Sequence, residues 1–188
     1  MALQFKIQLK GISKPPVWRK VLVPKNFTFH DFHRVIQAAF GWQDYHLYQF
    51  SSQGWDSYPV IAIPSDDDWE KPDMNSEKTK LSKIFTEEKQ TYSYIYDFGD
   101  NWEHKITLEK ITDDNSSKTA SCIGGKGACP PEDCGGTWGY GSFLDVISNP
   151  EDPEHDGMLE WAGLEEGETW EDVARFDLEE VNKAVQAV

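Results

Sequence analysis

The sequence has few cysteines and no long hydrophobic segment. Only three of its 188 residues are cysteine, and an odd number argues against a framework of disulfide bonds. The apolar runs are only a few residues long, which is too short for a membrane-spanning helix. The amino terminus also lacks the apolar core of an export signal. We therefore expect a cytoplasmic protein without a membrane partner.

Several familiar signatures of enzymes are missing as well. The sequence contains no Walker phosphate loop, no Rossmann glycine motif and no G-x-S-x-G nucleophile elbow. No cofactor is indicated by these motifs, and they leave open whether the protein is an enzyme.

Positive charge is scarce and unevenly distributed. The chain has 18 Lys and Arg residues against 33 Asp and Glu residues, for a formal net charge of −15. Residues 1–63 carry +4, whereas residues 122–188 carry −13. An acidic protein repels a phosphate backbone unless it concentrates basic groups locally. We therefore do not expect a nucleic-acid partner, and binding through the basic N-terminal third is kept as a third hypothesis.

The hydrophobic pattern of residues 1–112 predicts an α+β domain. Apolar residues alternate with polar ones in residues 3–9, which is typical of a half-buried strand, and a second strand returns over 17–23. Thr28 and Asp31 form a capping-box pair before a helix with one apolar face. Further short strands near 45–51 and 58–63, a helical turn near 81–85 and a second hairpin follow. We expect an antiparallel or mixed sheet with one packed helix, in β-grasp-like order.

Residues 113–188 differ in composition from the first part of the chain. Seven of the fourteen glycines lie between 124 and 141, and helical patterns follow at 142–147 and 177–188. We predict a Gly/Cys-rich loop and a helical C-terminal extension that pack on the same domain. The polar segments 64–78 and 113–118 are predicted to be exposed loops.

The segment "YDFGDNWEH" at 96–104 predicts the second hairpin. If Gly99-Asp100-Asn101 is a three-residue loop, Tyr96 and His104 share the apolar face with Phe98 and Trp102. Asp97 and Glu103 would then lie side by side on the other face, where a metal ion, a Lys, an Arg or solvent must separate the like charges. A histidine on an apolar face is more often part of the hydrogen-bonded structure than a catalyst, which is the interpretation favoured for His104.

The three cysteines lie close together in the chain. Cys122, Cys129 and Cys134, with His104 or His155 as a fourth ligand, provide the donor types of a zinc site. Their spacings of six and four intervening residues do not match the short C-x₂-C knuckle, however. The alternative is a tight loop stiffened by two prolines, with the acidic pair Glu132-Asp133 on its rim.

Several motifs together resemble one known family. They are "FHRVIQAAFGW" at 32–42, "HLYQF" at 46–50, the hairpin segment at 96–104 and "ACPPEDCGG" at 128–136. These motifs are similar to the plasmid pRiA4b Orf-3-like family, and the resemblance extends from about residue 3 to residue 150 or beyond. It implies a bacterial and archaeal family, associated in part with mobile elements, that has no established biochemical activity. It assigns no role to any residue.

Two main hypotheses for function follow. The first, which the sequence favours, is a module that binds a protein or small ligand without catalysis, through exposed aromatic residues such as Trp55, Tyr58 and Trp69. The second is a metal-dependent hydrolase or nuclease. Its candidate site comprises the acidic and histidine residues of the hairpin and of the cysteine loop: Asp97, Asp100, Glu103, His104, Glu132 and Asp133. Convergence of these two segments on one cleft would favour a functional site there.

Overall fold

An eight-stranded β-sheet forms the centre of the protein in the computed structural model, which describes residues 1–65, 71–113 and 118–188. The strands are β1 (Ala2–Ser13), β2 (Pro16–Pro24), β3 (Tyr48–Ser51), β4 (Ile61–Ala62), β5 (Met74–Asn75), β6 (Thr91–Tyr96), β7 (Trp102–Thr112) and β8 (Ser121–Lys126). The helices are α1 (Phe29–Phe40), α2 (Gly136–Ser148), α3 (His155–Ala162), α4 (Trp170–Val173) and α5 (Leu178–Gln186), and a 3₁₀ turn covers Leu81–Lys83.

The predicted α+β class is confirmed, whereas the β-grasp-like order is not. The strand order is β5-β4-β3-β6-β7-β1-β2-β8, and every neighbouring pair is antiparallel except β4 and β5. The central strands β1 and β7 therefore run in opposite directions. Among the described helices, none is long and apolar enough to cross a membrane.

Helix α1 covers one face of the sheet, as its apolar stripe predicts. Thr28 and Asp31 make both hydrogen bonds of the capping box, and Gly41 ends the helix in the left-handed conformation. The rings of Phe29 and Phe32 pack against strand residues, with Phe32 centred 4.7 Å from Phe5. Burying each ring contributes about 1.5–3 kcal/mol, so this face holds the helix on the sheet.

The second hairpin has a longer loop than the sequence predicted. Tyr96 pairs with Trp102, so the loop contains the five residues 97–101. The predicted register placed Phe98 in the core and Asp97 opposite Glu103, and both expectations are wrong. Phe98 is 42% exposed, and Glu103 lies opposite Ile95 and pairs with the Lys10 ammonium at 2.7 Å. The pairing of β6 with β7 is thus shifted by two residues from the predicted register. A shift of two residues leaves every side chain on the same face of the sheet, so His104 still faces the core.

The C-terminal segment contains a strand where the sequence predicted only a loop. Strand β8 includes Cys122 and extends the sheet beside β2. Helix α2 begins at Gly136, several residues before the predicted helix, whereas α5 begins after its predicted cap Asp177. The Asn182 side-chain oxygen on α5 accepts a hydrogen bond from the Cys122 amide at 2.9 Å, which ties this helix to the edge strand.

Candidate metal centre

Three loops converge at one end of the sheet. They are the connection between α1 and β3, the hairpin loop 97–101 and the cysteine loop that precedes α2. The Asp97 amide donates to the Leu47 carbonyl at 2.9 Å, and the Gly135 amide donates to Asp100 Oδ2 at 3.1 Å. The Gln43 amide donates to Glu132 Oε2 at 2.8 Å. The hairpin and the cysteine loop therefore meet in one place.

One imidazole and two carboxylates meet where these loops converge. His46 Nε2 lies 2.9 Å from Asp133 Oδ1 and 3.7 Å from Asp97 Oδ2, and the three ligand atoms are all within 4.8 Å of one another. The His46 nitrogen is buried and makes no hydrogen bond of good geometry, in spite of the short distance to Asp133. Such an arrangement of donor atoms suits a divalent metal ion. It is the only such cluster of three among the described residues.

The backbone holds both aspartates in an unusual conformation. Asp97 has φ +56° and Asp133 has φ +59°, in the left-handed region that non-glycine residues seldom adopt. Asp97 Oδ1 accepts a hydrogen bond from the Gly99 amide at 2.9 Å, which leaves Oδ2 on the side of His46. The Asp97 side chain is 10% exposed and that of Asp133 is 62% exposed. The cluster therefore has one buried wall and one side open to solvent.

A third carboxylate is fixed beside the cluster. Glu132 accepts hydrogen bonds from the Tyr96 hydroxyl and from the Gln43 amide, one on each oxygen. Burial raises the pKa of Tyr96 above its usual value, and the hydrogen bond and charge of Glu132 act in the same direction. The phenol therefore stays protonated and keeps donating to Glu132. Glu132 and Asp133 also line a cavity of about 620 Å³ between the cysteine loop and helices α1, α4 and α5, but His46 and Asp97 do not line it.

Comparison with known proteins identifies the family. The family described as plasmid pRiA4b ORF-3-like protein matches residues 1–184. The chain belongs to this family. A relative, the "Uncharacterized protein y4hQ" of Sinorhizobium fredii, is 32% identical over 184 residues, which are 97% of this chain and 90% of that protein. A crystal structure titled "Protein of Unknown Function MM3350 from Methanosarcina mazei Go1" is 35% identical with a TM-score of 0.76, covering 95% of this chain and 96% of the other.

Some of the predicted site residues are not members of the cluster of this pRiA4b ORF-3-like protein. Asp100 binds the Gly135 amide, and Glu103 pairs with Lys10 on β1. His104 is fully buried, and its Nδ1 donates to the Trp102 carbonyl at 2.9 Å. Burial lowers the pKa of His104 to about 3, so this imidazole is neutral and belongs to the core.

The three cysteines do not come together. Within the described chain, their sulfur atoms do not form a group within 4.8 Å of one another. Burial raises the pKa of all three thiols, to about 12 in the case of Cys134, so they are protonated at neutral pH. The loop glycines serve packing instead, because a side chain at Gly136 would collide with the Asp100 carbonyl. The cysteine loop of this pRiA4b ORF-3-like protein thus contributes Asp133 to the site rather than its thiols.

His46 was not among the residues singled out as a candidate site from the sequence. It lies in the segment "HLYQF", which supported the family resemblance but carried no assigned role. No local pattern marks it, because its two partners come from segments about 50 and 90 residues away. Of the aromatic residues proposed for binding, Trp55 and Tyr58 are 45% and 73% exposed, and Trp69 lies outside the described residues.

Proposed function

We propose that this pRiA4b ORF-3-like protein is a metal-dependent hydrolase whose ion is bound by His46, Asp97 and Asp133. The observation that carries the proposal is the meeting of these three donor groups within 4.8 Å, at the junction of three loops. Structural zinc sites usually have four protein ligands, whereas catalytic sites keep a position open for water or substrate. Three protein ligands and an exposed side therefore favour a catalytic ion.

The ion would supply a Lewis acid and a bound water of lowered pKa. The donor set of one imidazole and two carboxylates suits zinc, manganese or ferrous iron. Glu132 is placed to act as the general base, because the Tyr96 hydroxyl and the Gln43 amide hold its carboxylate beside Asp133. A fixed carboxylate next to the open side can take a proton from water and return it to a leaving group.

A second candidate is ligand binding without catalysis. It is favoured by exposed aromatic rings on the same end of the molecule, notably Trp55 and Phe98, which contact each other edge to face at 5.1 Å. Nucleic-acid binding has less support, because Arg19 is buried among backbone carbonyls while Lys10 and Lys20 pair with glutamates.

The metal-binding claim is tested by calorimetry on protein purified without a metal-affinity resin. We expect one equivalent of Zn²⁺ or Mn²⁺ to bind, and His46→Ala or Asp97→Asn to weaken binding by at least about 100-fold, since even indirect ligand partners are worth 10–100-fold. The matched controls are His155→Ala and Asp100→Asn, which alter a distant histidine and a neighbouring carboxylate outside the cluster. Equal binding by all four variants would contradict the proposal.

The two candidate functions differ in the behaviour of Glu132. Glu132→Gln should keep metal affinity within a few-fold but lower the turnover of a test ester such as p-nitrophenyl acetate by about 100-fold or more. Protein that binds the metal, yet shows no turnover above that of Glu132→Gln, would instead support ligand binding without catalysis.

A further inference from the structure

An exposed pair of aromatic rings lies at the hairpin loop that carries Asp97. Trp55 and Phe98, here called the aromatic shelf, are 45% and 42% exposed. Phe98 directly follows Asp97 in the hairpin loop, and Leu47, whose carbonyl binds the Asp97 amide, is 71% exposed. Exposed apolar side chains beside polar groups are a feature of ligand sites.

The aromatic shelf is held in place and is not a pair of freely moving rings. Trp55 Nε1 donates to Asn101 Oδ1 at 2.7 Å, which joins the 52–57 loop to the far end of the hairpin loop. The rings of Trp55 and Phe98 meet edge to face with centroids 5.1 Å apart. Binding of a ligand ring to Trp55 and Phe98 therefore costs little conformational entropy, because these side chains are already ordered.

The charge around the centre selects against anionic substrates. Four carboxylates lie at the loop junction, and none of them pairs with a Lys or Arg in the described part of the chain: Asp97, Asp100, Glu132 and Asp133. A divalent ion would neutralise two of these four formal charges, and the whole chain carries −15. A phosphodiester would meet the remaining negative charge, whereas an uncharged carbonyl would not.

We propose that the substrate is an uncharged acyl compound, a peptide-like amide or ester, with an aromatic or large apolar group beside the carbonyl. This inference rests on the proposed function and names its substrate class. The apolar group lies on Trp55 and Phe98 while the carbonyl oxygen faces the ion. Water adds to the carbonyl carbon, its proton passes to Glu132, and the bond to nitrogen or oxygen breaks as Glu132 protonates the leaving amine or alcohol.

The experiment compares small metal-binding probes on the zinc-loaded protein by calorimetry. Benzohydroxamic acid and acetohydroxamic acid share the same metal-binding group. The first carries a phenyl ring where the second carries a methyl group. Phenylphosphonate carries the ring on a dianion. We expect benzohydroxamic acid to bind at least about tenfold more tightly than acetohydroxamic acid, because an aromatic pair adds about 0.5–1.5 kcal/mol to the burial of the ring. Phenylphosphonate should bind more weakly than benzohydroxamic acid.

The shelf is tested with Trp55→Ala and Phe98→Ala, both at exposed positions. Each should reduce the tenfold preference to about twofold or less without changing zinc affinity. Tyr58→Ala, at an aromatic residue that is 73% exposed in the same loop region, is the matched control and should keep the preference.

Each alternative outcome has a distinct meaning. Equal binding of the two hydroxamic acids to zinc-loaded protein, or tighter binding of phenylphosphonate, would overturn the substrate assignment and leave the metal centre in place. A protein that binds no zinc would overturn the proposed function and this inference with it.

Discussion

At the scale of single residues, buried histidines are held neutral by their surroundings. His33 on α1 is fully buried. Gln37 donates to the Tyr94 hydroxyl, which is left to donate to His33 Nδ1, and His33 Nε2 donates to Asp44. A second proton on His33 would leave the Tyr94 hydroxyl hydrogen without an acceptor. The chain of hydrogen bonds therefore requires a neutral imidazole.

Neutral buried histidines make stability depend on pH. Burial lowers the pKa of His33 to about 4 and that of His104 to about 3, whereas both rings titrate near 6.5 in the unfolded chain. Between these values the unfolded state binds more protons than the folded state. The stability that each neutral ring contributes is therefore fully present above pH 6.5. It is lost as the pH falls from 6.5 to about 4 for His33 and to about 3 for His104.

We expect His104→Asn to flatten this acid dependence. The Asn amide can replace the Nδ1 donor to the Trp102 carbonyl but does not titrate. Between pH 7.5 and pH 5 the wild-type protein should lose about 2 kcal/mol of unfolding free energy more than the variant does. Urea unfolding at several pH values measures this difference. Parallel pH profiles of the two proteins would show that His104 takes up no additional proton on unfolding.

The sequence predicted that His104 faces the core, but it did not single out His46. The alternation of Trp102, His104 and Ile106 with the tyrosines of β6 is a local pattern, and it indicates a buried ring even when the loop length is wrong. His46 belongs to the cluster only because three loops fold together. The contacts of His46 with Asp97 and Asp133 join distant segments of the chain, and the hydrophobic periodicity of the sequence does not encode such contacts.

At the scale of elements, the loop lengths were the least predictable feature. A three-residue loop and a five-residue loop both keep the aromatic residues of this hairpin on one face, so hydrophobic alternation does not distinguish them. The left-handed conformations of Asp97 and Asn101, together with the hydrogen bond from the Asn101 amide to the Asp97 carbonyl, select the longer loop. In the five-residue loop, Asp97 is no longer paired with a residue of β7 and lies in the candidate site instead.

Gly136 controls how the cysteine loop meets the hairpin. Its φ is +69°, and an added Cβ would overlap the Asp100 carbonyl. We expect Gly136→Ala to destabilise the protein by about 2 kcal/mol or more, because a left-handed alanine alone costs 1–2 kcal/mol. It should also weaken metal binding, because it displaces Asp133 from Asp97. Chemical unfolding and zinc calorimetry measure the two effects.

Gly141 in the same helix is the control for this substitution. A Cβ there meets no atom within 4 Å, and its φ is not positive. Gly141→Ala should therefore leave metal affinity unchanged and stabilise the protein by up to about 1 kcal/mol. If both variants bind zinc like the wild type, the close approach of the loops does not position the aspartates.

At the scale of the whole molecule, the sequence predicted the class and missed the extent of the sheet. The long strands β1, β2, β6 and β7 have clear patterns, and the strand predicted near 58–63 contains β4, whereas β5 has only two residues and was not predicted. Strand β8 is interrupted by Gly124 and Gly125, so it resembles a loop in composition. Its pairing with β2 is a long-range contact that the local sequence does not show.

The proposed division at residue 112 leads to a last prediction. Residues 113–188 supply β8 to the sheet and α5 to the surface of α1, and Val185 on α5 is fully buried in the same core as Phe5. We therefore expect Val185→Ala to lower the unfolding free energy of the entire chain by about 2 kcal/mol, with a single transition seen by both circular dichroism and tryptophan fluorescence. Val173→Ala, at a position that is 51% exposed, should change it by less than about 0.5 kcal/mol. An early separate transition in Val185→Ala would mean that the extension unfolds independently of the sheet. In that case the division at residue 112 would mark a boundary between folding units, and the two aspartates of the proposed metal centre would belong to different units.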